Sequence, residues 1–490
     1  MTTPTDLYQV SLSLLTDLYQ VTMAYGYWKS HKHMSEAVFH LSFRTNPFEG
    51  GFSVACGLSG AIDYIRRYRL AASDVEYLGS LSGSDGELLF ERAFLDELAR
   101  LELSCDIDAV PEGTVVFPSE PLIRVRGPIW QCQLLETPLL NRINFETLIA
   151  TKAARTCLAA RGEPVLEFGL RRAQGVDGGV SASRAAYVGG CAATSNLLAG
   201  KLYDIPVRGT HAHSWVMAFG DERDAFEAWA QAMPNNSVML VDTYDTLAGV
   251  RNAIEVGRQL RAAGHELQGI RLDSGDLAYL SGQARRLLDD AGFANTSIIA
   301  SNDLDENVIQ SLKEQGAAID AWGVGTKLAT GGSQSALGGV YKLSALRAPG
   351  GEWEYKIKLS EQAIKVSNPG IQQVRRYREG DEFVADVVFD EAAGEFSASN
   401  MIDPFDATRR KTLPAASRWT DLLVPVFRSG ALVYASPSIH ATRERVAEQL
   451  ASLHAGVKRF VNPHRYPVGL AEDLYERKQE LMLAARGLEA

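Results

Sequence analysis

Residues 238–245 read Val-Met-Leu-Val-Asp-Thr-Tyr-Asp, an apolar run that ends abruptly on polar side chains. A short apolar run bounded by turn-forming residues is typical of a buried strand, and the pattern over about 245–263 that follows it is helical. The same alternation repeats from 164 to about 343, with further helices predicted at about 182–200, 222–233, 276–291 and 304–316. Strands that alternate with helices predict a parallel sheet, and roughly six such units favour an α/β barrel or a large open sheet.

The predicted strands of this region share one feature, which is that each ends on polar or glycine residues. The strand ends are residues 167–172, 209–214, 242–245, 271–276, 301–303 and 323–327. In an α/β barrel the carboxyl ends of the strands form the active-site face. A single aspartate here, such as Asp245, Asp276 or Asp303, is a natural helix cap. Capping alone does not account for so many polar ends, so the pattern predicts a catalytic site at this face.

Arginines and glycines at these ends suit an anionic substrate. Arg171, Arg172 and Arg271 carry planar guanidinium groups that bind phosphate or carboxylate through two parallel hydrogen bonds. A surface ion pair explains one of the adjacent arginines equally well. The turn Gly323-Val324-Gly325-Thr326 lets backbone N–H groups approach a phosphate, although a tight turn is the commoner reason for such glycines. Its place at the end of the series matches the usual phosphate site of a barrel.

Two aspartates of the segment 271–276 are candidates for the chemistry of this face. Asp273 and Asp276 offer oxygen ligands for Mg²⁺, or a fixed negative charge that faces a positively charged sugar in a transition state. The residue types leave these two uses open, and both are compatible with a phosphorylated substrate.

His211 and His213 lie two residues apart, so on a strand their side chains would point to the same side. Such a pair is also a metal-ligand arrangement, as in metal-dependent hydrolases, but that interpretation requires further histidines at later strand ends. The later histidines lie outside those ends: His265, His440, His454 and His464. The pair therefore predicts an acid–base or nucleophilic imidazole, with Asp242 as a candidate carboxylate for the other ring nitrogen.

The segments on either side of this region predict a second kind of structure. Helix is predicted over 12–28, over most of 57–104, near 440–455 and near 471–486. Strand is predicted over 37–43, in a β-rich module over 107–135, and over 355–400. The resulting domain prediction is an N-terminal α+β domain over 1–140, an α/β barrel over 141–345, and a C-terminal segment over 346–490 that packs with the N-terminal domain.

The composition narrows the class of protein. Hydrophobic residues make up 46% and charged residues 22% of the 490, which is enough apolar material for a sizeable core. The net charge of −11 argues against a nucleic-acid-binding protein. The five cysteines form no C-x-x-C pair, which suits a reducing compartment. The chain shows neither a signal-peptide pattern nor an apolar run long enough to span a membrane, so a cytoplasmic location is expected.

Taken together, these segments resemble the nicotinate phosphoribosyltransferase family along nearly the whole chain. The longer matching stretches are LLTDLYQ at 14–20, EFGLRRAQG at 167–175, GT-x-AHS at 209–214, RLDSGDL at 271–277 and GVGT at 323–326. Further matches lie at 46–48, 135–141, 241–245, 301–303 and 462–470. One such motif is weak, but this many in the family's order make the resemblance strong.

The resemblance implies the type II phosphoribosyltransferase fold, an irregular α/β barrel with an additional α+β domain formed by N-terminal and C-terminal segments. It implies a homodimer with shared active sites. The implied reaction converts nicotinate, 5-phosphoribosyl diphosphate, ATP and water into nicotinate mononucleotide, diphosphate, ADP and phosphate, the entry step of NAD salvage. Mg²⁺ is the implied cofactor and ATP the co-substrate.

The same resemblance implies roles for single residues. ATP is expected to phosphorylate His213 transiently, giving a phosphohistidine, and Asp242 to orient this ring. Arg271 and Thr210 match nicotinate-binding positions, and Tyr19 matches an aromatic residue that stacks on the pyridine ring.

Other positions match groups that hold the phosphorylated sugar. Arg171 resembles the arginine that faces the diphosphate or the nicotinate carboxylate, and Asp273 resembles the aspartate beside the ribose. Asp276 is the candidate ligand for Mg²⁺. The loop for the 5-phosphate of the sugar is matched by Gly323, Gly325 and Thr326.

His211 and Asn196 are the two positions that bear on the phosphorylated residue and on the substrate, and further alternatives come from other enzymes and other classes. His211 stands where the resemblance implies a small or apolar residue, and the flanking Ala212 and Ser214 favour His213 as the phosphorylated ring. A sister enzyme that acts on nicotinamide would carry a carboxylate where Asn196 stands. Quinolinate enzymes lack the phosphorylated histidine and are shorter. A metal-dependent hydrolase, which predicts tightly bound Zn²⁺, and a non-catalytic barrel are the alternatives from other classes.

Overall fold

The computed structural model describes residues 12–394, 400–413 and 418–488. These residues form two compact units. The first unit takes the described parts of residues 1–147, 337–438 and 448–490, and the second takes residues 148–336 and 439–447. The predicted strand–helix series therefore lies in the second unit, and segments from both ends of the chain fold together in the first.

The second unit is built on a parallel sheet, which confirms the α/β class that the sequence predicts. Its six strands are hydrogen-bonded in the order Ala193–Thr194, Val165–Glu167, Ala321–Val324, Ser297–Ala300, Gly269–Leu272 and Val238–Leu240. Apart from a single bridge between Thr194 and Val207, the ladder of the described residues ends at its first and last strands. The barrel is therefore irregular, and its strand ends share one face.

Helices connect these strands and bury one face each. They span Gly175–Val188, Leu197–Tyr203, His213–Met217, Glu222–Ala232, Thr246–Ala262, Leu277–Asp290, Glu306–Glu314 and Thr326–Ala329. In the longest of them, Val250, Ala253, Gly257 and Leu260 are buried at spacings of three or four residues, the period of one helical face. The predicted helices after the third, fourth and fifth strands are confirmed to within two residues.

Two predictions near the second strand are wrong. The helix predicted over 182–200 is interrupted at Gly189 and Gly190, because Gly190 has φ +122° and a Cβ at Gly189 would meet the Ala150 carbonyl oxygen at 2.3 Å. The segment predicted as a strand leading into 209–214 contributes only the Val207 bridge. The strand that occupies this place in the sheet is Ala193–Thr194.

The first unit contains two larger sheets and one small one. The seven-stranded antiparallel sheet has the order Glu354–Tyr355, Gly339–Arg347, Glu36–Phe43, Ile123–Pro128, Asp106–Ala109, Val424–Arg428 and Ala431–Leu432. The six-stranded sheet has the order Asp406–Thr412, Asn400–Asp403, Val468–Ala471, Glu382–Asp390, Gln372–Glu379 and Arg418–Asp421. The small sheet pairs Ser53–Val54 with Val115–Val116. An N-terminal strand lies between partners from both chain ends, which gives the additional α+β body of the predicted fold class.

The helices of the first unit are short. They span Leu18–Lys29, Leu58–Arg67, Ala72–Gly79, Arg92–Ala99, Ile129–Leu134 and Glu472–Ala484. Two further helices, Glu136–Ala159 and Ile439–Ala451, have residues in both units. In the described part of the chain no helix combines the length and the apolar character needed to cross a bilayer.

Candidate active site

Two strand ends of the parallel sheet and one loop bring their side chains together. Arg271 belongs to the strand Gly269–Leu272 and Asp273 follows it, and Ser301 follows the neighbouring strand Ser297–Ala300. The third contribution is the segment Thr210–His213, which lies between Val207 and the helix His213–Met217. Because all strands of the sheet are parallel, these polar residues share the carboxyl-end face on which the sequence predicts a site.

The Arg271 guanidinium is held by three side chains. Its Nε donates to the Ser301 hydroxyl at 2.8 Å, its Nη1 to the Thr210 hydroxyl at 3.1 Å, and its Nη2 to the Asp273 carboxylate at 3.0 Å. The Phe168 ring lies 5.9 Å from the guanidinium carbon, within the range of a cation–π contact. The positive charge is therefore fixed in one orientation at the face.

Asp273 is the carboxylate at the centre of this group. It accepts hydrogen bonds from Arg271 and from the Ser301 hydroxyl, and its Oδ2 lies 3.6 Å from Nε2 of His213. Burial raises the pKa of Asp273, but the Ser301 hydrogen bond, the Arg271 charge and His213 together outweigh burial and hold the pKa below its ordinary value. The site thus keeps a fixed negative charge at neutral pH.

His213 is the first residue of a short helix, and its side chain is 39% exposed. Its Nδ1 lies 3.1 Å from the Thr243 hydroxyl, and its Nε2 faces Asp273. Neither ring nitrogen is bonded to Asp242. The Thr243 hydroxyl and the Asp273 carboxylate therefore orient this ring, which stays partly exposed to solvent.

The prediction that Asp242 holds the His213 ring is corrected by this geometry. Oδ2 of Asp242 instead accepts the backbone N–H of Asp273 at 2.8 Å and the Ser274 hydroxyl at 2.7 Å. These bonds shape the loop after the strand Gly269–Leu272, so Asp242 acts on His213 only through the position of Asp273. Oδ1 of Asp242 is buried and has no hydrogen-bond partner within the described residues.

His211 faces away from solvent, and only 5% of the residue is exposed. Its Nε2 accepts the backbone N–H of Leu240 at 3.2 Å, and its ring stands edge-on to Trp229 at 5.0 Å between centroids. Burial lowers the pKa of His211 to about 4, and the charge of Arg271 acts in the same direction. His211 is therefore a neutral, buried ring, and His213 is the accessible histidine of the pair.

The arginines that follow the strand Val165–Glu167 are both exposed. Arg171 and Arg172 belong to the short 3-10 helix Leu170–Arg172 and form no side-chain hydrogen bond with the described residues. The loop beneath them is anchored by Glu167, whose buried carboxylate accepts from the Gly169 N–H and from the hydroxyls of Ser183 and Thr194. A rigid loop thus presents two guanidinium groups that are available to an anion.

The predicted phosphate turn divides into two parts. Gly323 is buried inside the strand Ala321–Val324, where a Cβ would meet the Phe168 ring at 2.9 Å, so this glycine makes room for packing. Gly325 and Thr326 come after the strand, at the start of the helix Thr326–Ala329. Backbone N–H groups at a helix start point outward and attract anions.

Three aspartates at the strand ends were predicted as possible helix caps. Asp245 accepts the Ala248 N–H at 2.7 Å, and Asp276 accepts the Tyr279 N–H at 3.0 Å, so both are confirmed as caps. Asp303 is not a cap, because the next helix begins at Glu306 and is capped by Asp305.

Asn196 stands where an enzyme that acts on nicotinamide would carry a carboxylate. It caps the helix Leu197–Tyr203. Its Oδ1 accepts from the N–H groups of Leu198 and Ala199, and its Nδ2 donates to the Gly179 carbonyl and the Ser183 hydroxyl. Both ends of the amide are used inside the unit, so Asn196 supports the loop that carries the arginines.

Tyr19 belongs to the first unit, on the helix Leu18–Lys29, and is 45% exposed.

The first unit also has a basic cavity, which the sequence did not predict. Its cationic lining residues are Arg44, Lys342 and Lys365. The sequence feature that could have indicated this cavity is Arg44, which lies two residues before the Asn-Pro-Phe motif at 46–48.

No cluster of metal ligands marks the catalytic face in the described part of the chain. The group of three that lies close enough is Cys56, Glu112 and Glu146, which is buried in the first unit. The H-x-H pair does not act as a metal site either, because one of its rings is buried against Leu240. Sequence reasoning missed Ser301 and Thr243 as side chains that position the site, although both lie in motifs at the predicted strand ends.

Comparison with known proteins identifies the family. Residues 14–144 match the nicotinate phosphoribosyltransferase N-terminal domain, residues 165–357 the nicotinate phosphoribosyltransferase family, and residues 372–478 the C-terminal domain. The chain is 43% identical over 480 residues to the nicotinate phosphoribosyltransferase of Bacillus subtilis, covering 96% of this chain and 95% of that protein. It is 36% identical to that of Caenorhabditis elegans, covering 96% and 93%.

Solved structures give the same result. The crystal structure of human nicotinic acid phosphoribosyltransferase superimposes with a TM-score of 0.82 at 31% identity, covering 95% of this chain and 99% of that one. The nicotinate-nucleotide pyrophosphorylase of Pyrococcus furiosus, at 21% identity and a TM-score of 0.69, shares the fold. Fold and site together define an enzyme of the phosphoribosyltransferase class. Within that class, the chain belongs to the nicotinate phosphoribosyltransferase family.

Proposed function

We propose that this enzyme joins nicotinate to the sugar of 5-phosphoribosyl diphosphate and couples the transfer to ATP through a phosphohistidine at His213. The overall reaction consumes nicotinate, 5-phosphoribosyl diphosphate, ATP and water, and yields nicotinate mononucleotide, diphosphate, ADP and phosphate. The observation that carries the proposal is the group formed by Arg271, Asp273 and His213, which puts a cation, an anion and an accessible imidazole on one barrel face.

Nicotinate binds through its carboxylate and its ring. The Arg271 guanidinium and the Thr210 hydroxyl offer donors that are already oriented, which suits a planar carboxylate. Tyr19 of the partner subunit supplies an aromatic platform for the pyridine ring, which is consistent with its exposure.

The sugar reacts next to Asp273. Loss of diphosphate from C1 leaves positive charge on the ribose ring, and the ionised carboxylate of Asp273 stabilises that charge as it develops. The pyridine nitrogen then forms the new bond to C1. Because the pKa of Asp273 lies below its ordinary value, the carboxylate is charged throughout the neutral range.

The phosphate groups of the donor are bound at the neighbouring strand ends. Arg171 binds the leaving diphosphate, since its guanidinium is exposed on an anchored loop. Backbone N–H groups of Gly325 and Thr326 bind the 5-phosphate, and Gly323 lets the strand before them pack against Phe168.

ATP acts through His213. A ring nitrogen attacks the γ-phosphorus, the bond to the ADP oxygen breaks, and water later cleaves the phosphorus–nitrogen bond to release phosphate. While phosphorylated, the ring carries additional negative charge beside Asp273 and Arg271 and changes how the site binds the donor. ATP hydrolysis thereby drives the transfer toward nicotinate mononucleotide.

Mg²⁺ fits this chain as the ion that accompanies the polyphosphate substrates. Asp276 keeps one carboxylate oxygen outside its cap, and Asp242 has a buried Oδ1 without a partner among the described residues, so these two side chains would hold it. When bound, the ion neutralises the charge that accumulates on the diphosphate.

The enzyme works as a homodimer with shared sites. On the helix Leu197–Tyr203 the side chains of Leu197, Leu198 and Leu202 are 75%, 47% and 57% exposed, a pattern that favours a protein partner. Sedimentation of the purified chain tests this, since a monomer at micromolar concentration would contradict it. The five free cysteines fit a cytoplasmic enzyme.

The central test is an assay with labelled nicotinate, with and without ATP, on the wild type, His213→Ala and the control His265→Ala. We expect ATP to stimulate the wild type and the control, and to leave His213→Ala unchanged. Equal stimulation of all three proteins would rule out the phosphohistidine. Turnover of nicotinamide without turnover of nicotinate would rule out the substrate.

A further inference from the structure

The strand Val238–Leu240 leaves one backbone donor facing the open side of the sheet. On the inner side, the N–H of the next residue, Val241, donates to the Arg271 carbonyl at 3.2 Å. Successive N–H groups of a strand point to opposite sides. The N–H of Leu240 therefore points away from Gly269–Leu272, toward the side on which no described strand continues the sheet. Leu240 is fully buried, so an unpaired N–H there would be destabilising.

His211 supplies the missing acceptor. Its Nε2 receives the Leu240 N–H at 3.2 Å, so the ring proton lies on Nδ1, which faces the Ala212 carbonyl at 3.4 Å. The ring packs against the aromatic residues Phe226 and Trp229, tilted to the first and edge-on to the second, with centroids 6.1 and 5.0 Å away. Packing and hydrogen bonding thus fix both the tautomer and the plane of the ring.

A second contact joins the same two segments of chain. Two residues after His211, Nδ1 of His213 meets the Thr243 hydroxyl at 3.1 Å, and Thr243 lies three residues after Leu240. The two contacts run side by side between segments 211–213 and 240–243. The buried contact is the one shielded from water, so it sets the register in which the exposed contact forms.

We infer that His211 is a positioning residue for His213: by accepting the Leu240 N–H it fixes the segment so that Nδ1 of His213 rests on Thr243 and Nε2 faces Asp273. The inference rests on the proposed function, because the reaction that it serves is the phosphorylation of His213. A small apolar residue at 211 would leave the Leu240 donor unpaired and the segment less constrained. A misplacement of about 1 Å is enough to cost roughly 100-fold in rate.

The alternative is that His211 only fills space beside Phe226 and Trp229. The two explanations differ in what a substitution of similar volume does. His211→Gln keeps an acceptor at about the distance of Nε2, whereas His211→Leu fills the cavity and keeps none. A role in packing alone predicts equal effects, and the positioning role predicts that glutamine rescues.

The experiment uses the full chain and compares the wild type, both His211 variants and His213→Ala. Transfer of ³²P from γ-labelled ATP into an acid-labile, base-stable protein phosphate measures phosphohistidine, and labelled nicotinate measures product with and without ATP. We expect His211→Leu to lower the phosphorylation rate and the ATP stimulation about 10- to 100-fold, with a much smaller effect on ATP-independent transfer. His211→Gln should restore most of the phosphorylation.

Three results would overturn the inference. One is His211→Leu phosphorylated at the wild-type rate. Another is equal loss in both variants, with phosphorylation and ATP-independent transfer falling together, which is the signature of packing. The third is a wild type that takes up no label at His213 and shows no ATP stimulation, since this refutes the proposed function and the inference with it. Either of the first two results, obtained with a wild type that is phosphorylated, refutes the inference alone and leaves the proposed function standing.

Discussion

Nη2 of Arg271 donates a hydrogen bond to Oδ1 of Asp273 at 3.0 Å, although the two residues are only two positions apart in the chain. Alternate residues of an extended segment lie on the same side, so the Arg-x-Asp spacing by itself brings the two charges together. The Ser301 hydroxyl from the neighbouring strand end contacts both of them. The ion pair is therefore set before any substrate binds, which is the condition under which electrostatic stabilisation is most effective.

Ser301 gives the first prediction. Burial raises the pKa of Asp273, and the Ser301 hydrogen bond is the largest of the effects that lower it. In Ser301→Ala the pKa of Asp273 should therefore rise, and the acid limb of the kcat profile should move to higher pH, because the proposed reaction uses the ionised carboxylate. Loss of a hydrogen bond to a charged group costs about 1.5–3 kcal/mol, or roughly 10- to 150-fold in rate.

The pH dependence of kcat measures this effect, and Ser301→Thr is the matched control because it keeps the hydroxyl. An acid limb in Ser301→Ala that coincides with the wild type, while Ser301→Thr is equally slow, would show that Ser301 acts through packing.

Arg271 gives the second prediction. The guanidinium makes three hydrogen bonds in fixed directions, which a lysine ammonium does not reproduce. Arg271→Lys should raise the KM for nicotinate about 10- to 100-fold, because the paired N–H donors of the guanidinium are lost. This increase corresponds to about 1.4–2.7 kcal/mol. The KM for 5-phosphoribosyl diphosphate, measured in parallel, should change far less. Equal increases for both substrates would mean that the whole face is disturbed.

The repeated alternation of predicted strands and helices was enough to predict the parallel sheet. A strand such as 238–241 is an apolar run that ends on polar residues, and both features are visible in a short window of sequence. The contact between Arg271 and Asp273 likewise follows from their spacing along one strand end. Residues such as Ser301 could be placed at the face from their motif, but their partners could not, because those partners come from other strands.

The histidine segment shows where local reasoning fails. On a strand, His211 and His213 would point to the same side, but His213 begins a helix and the two rings have different surroundings. The assignment of Asp242 to His213 failed for a related reason. Its carboxylate is bonded to the loop of Asp273 and Ser274, a choice made by tertiary contacts that no sequence period encodes.

The third prediction concerns stability in acid. The pKa of His211 falls from its ordinary 6.5 to about 4 in the folded chain, mainly through burial. Because the folded state favours the neutral ring, this contribution is fully present above pH 6.5 and is lost as the pH falls toward about 4. The contribution amounts to roughly 3 kcal/mol. The free energy of unfolding of the wild type should therefore decline more steeply across this window than that of His211→Gln.

Urea unfolding at a series of pH values measures the difference. His40 is also buried with a pKa well below 6.5, so the wild type alone does not isolate His211. The comparison with His211→Gln does, because His40 is unchanged in both proteins. Parallel stability curves from pH 7 to pH 4 would contradict the prediction.

The fourth prediction comes from a buried group of charges in the first unit. Arg376 donates to Asp386 at 2.9 and 3.1 Å, and the Tyr466 hydroxyl donates to the same carboxylate at 2.9 Å. Asp386→Asn would leave the guanidinium buried without its counter-charge. The expected loss is about 3–5 kcal/mol of unfolding free energy, measured by urea denaturation at pH 7.

Glu120 lies in the same group and should respond in the opposite way. Burial, the Asp386 charge and a hydrogen bond with Asp386 hold the pKa of Glu120 well above its ordinary value. An acid whose folded pKa is raised contributes stability at low pH that is lost as the pH rises through the folded pKa. A glutamine at this position keeps the acceptor for the Phe117 N–H, which Glu120 receives at 3.0 Å, and offers a permanent donor to Asp386. Glu120→Gln should therefore match or exceed the wild type at pH 7 and gain on it as the pH rises. Thermal unfolding from pH 6 to pH 9 checks this, and a variant that loses stability relative to the wild type with rising pH would show that Glu120 is ionised in the folded chain.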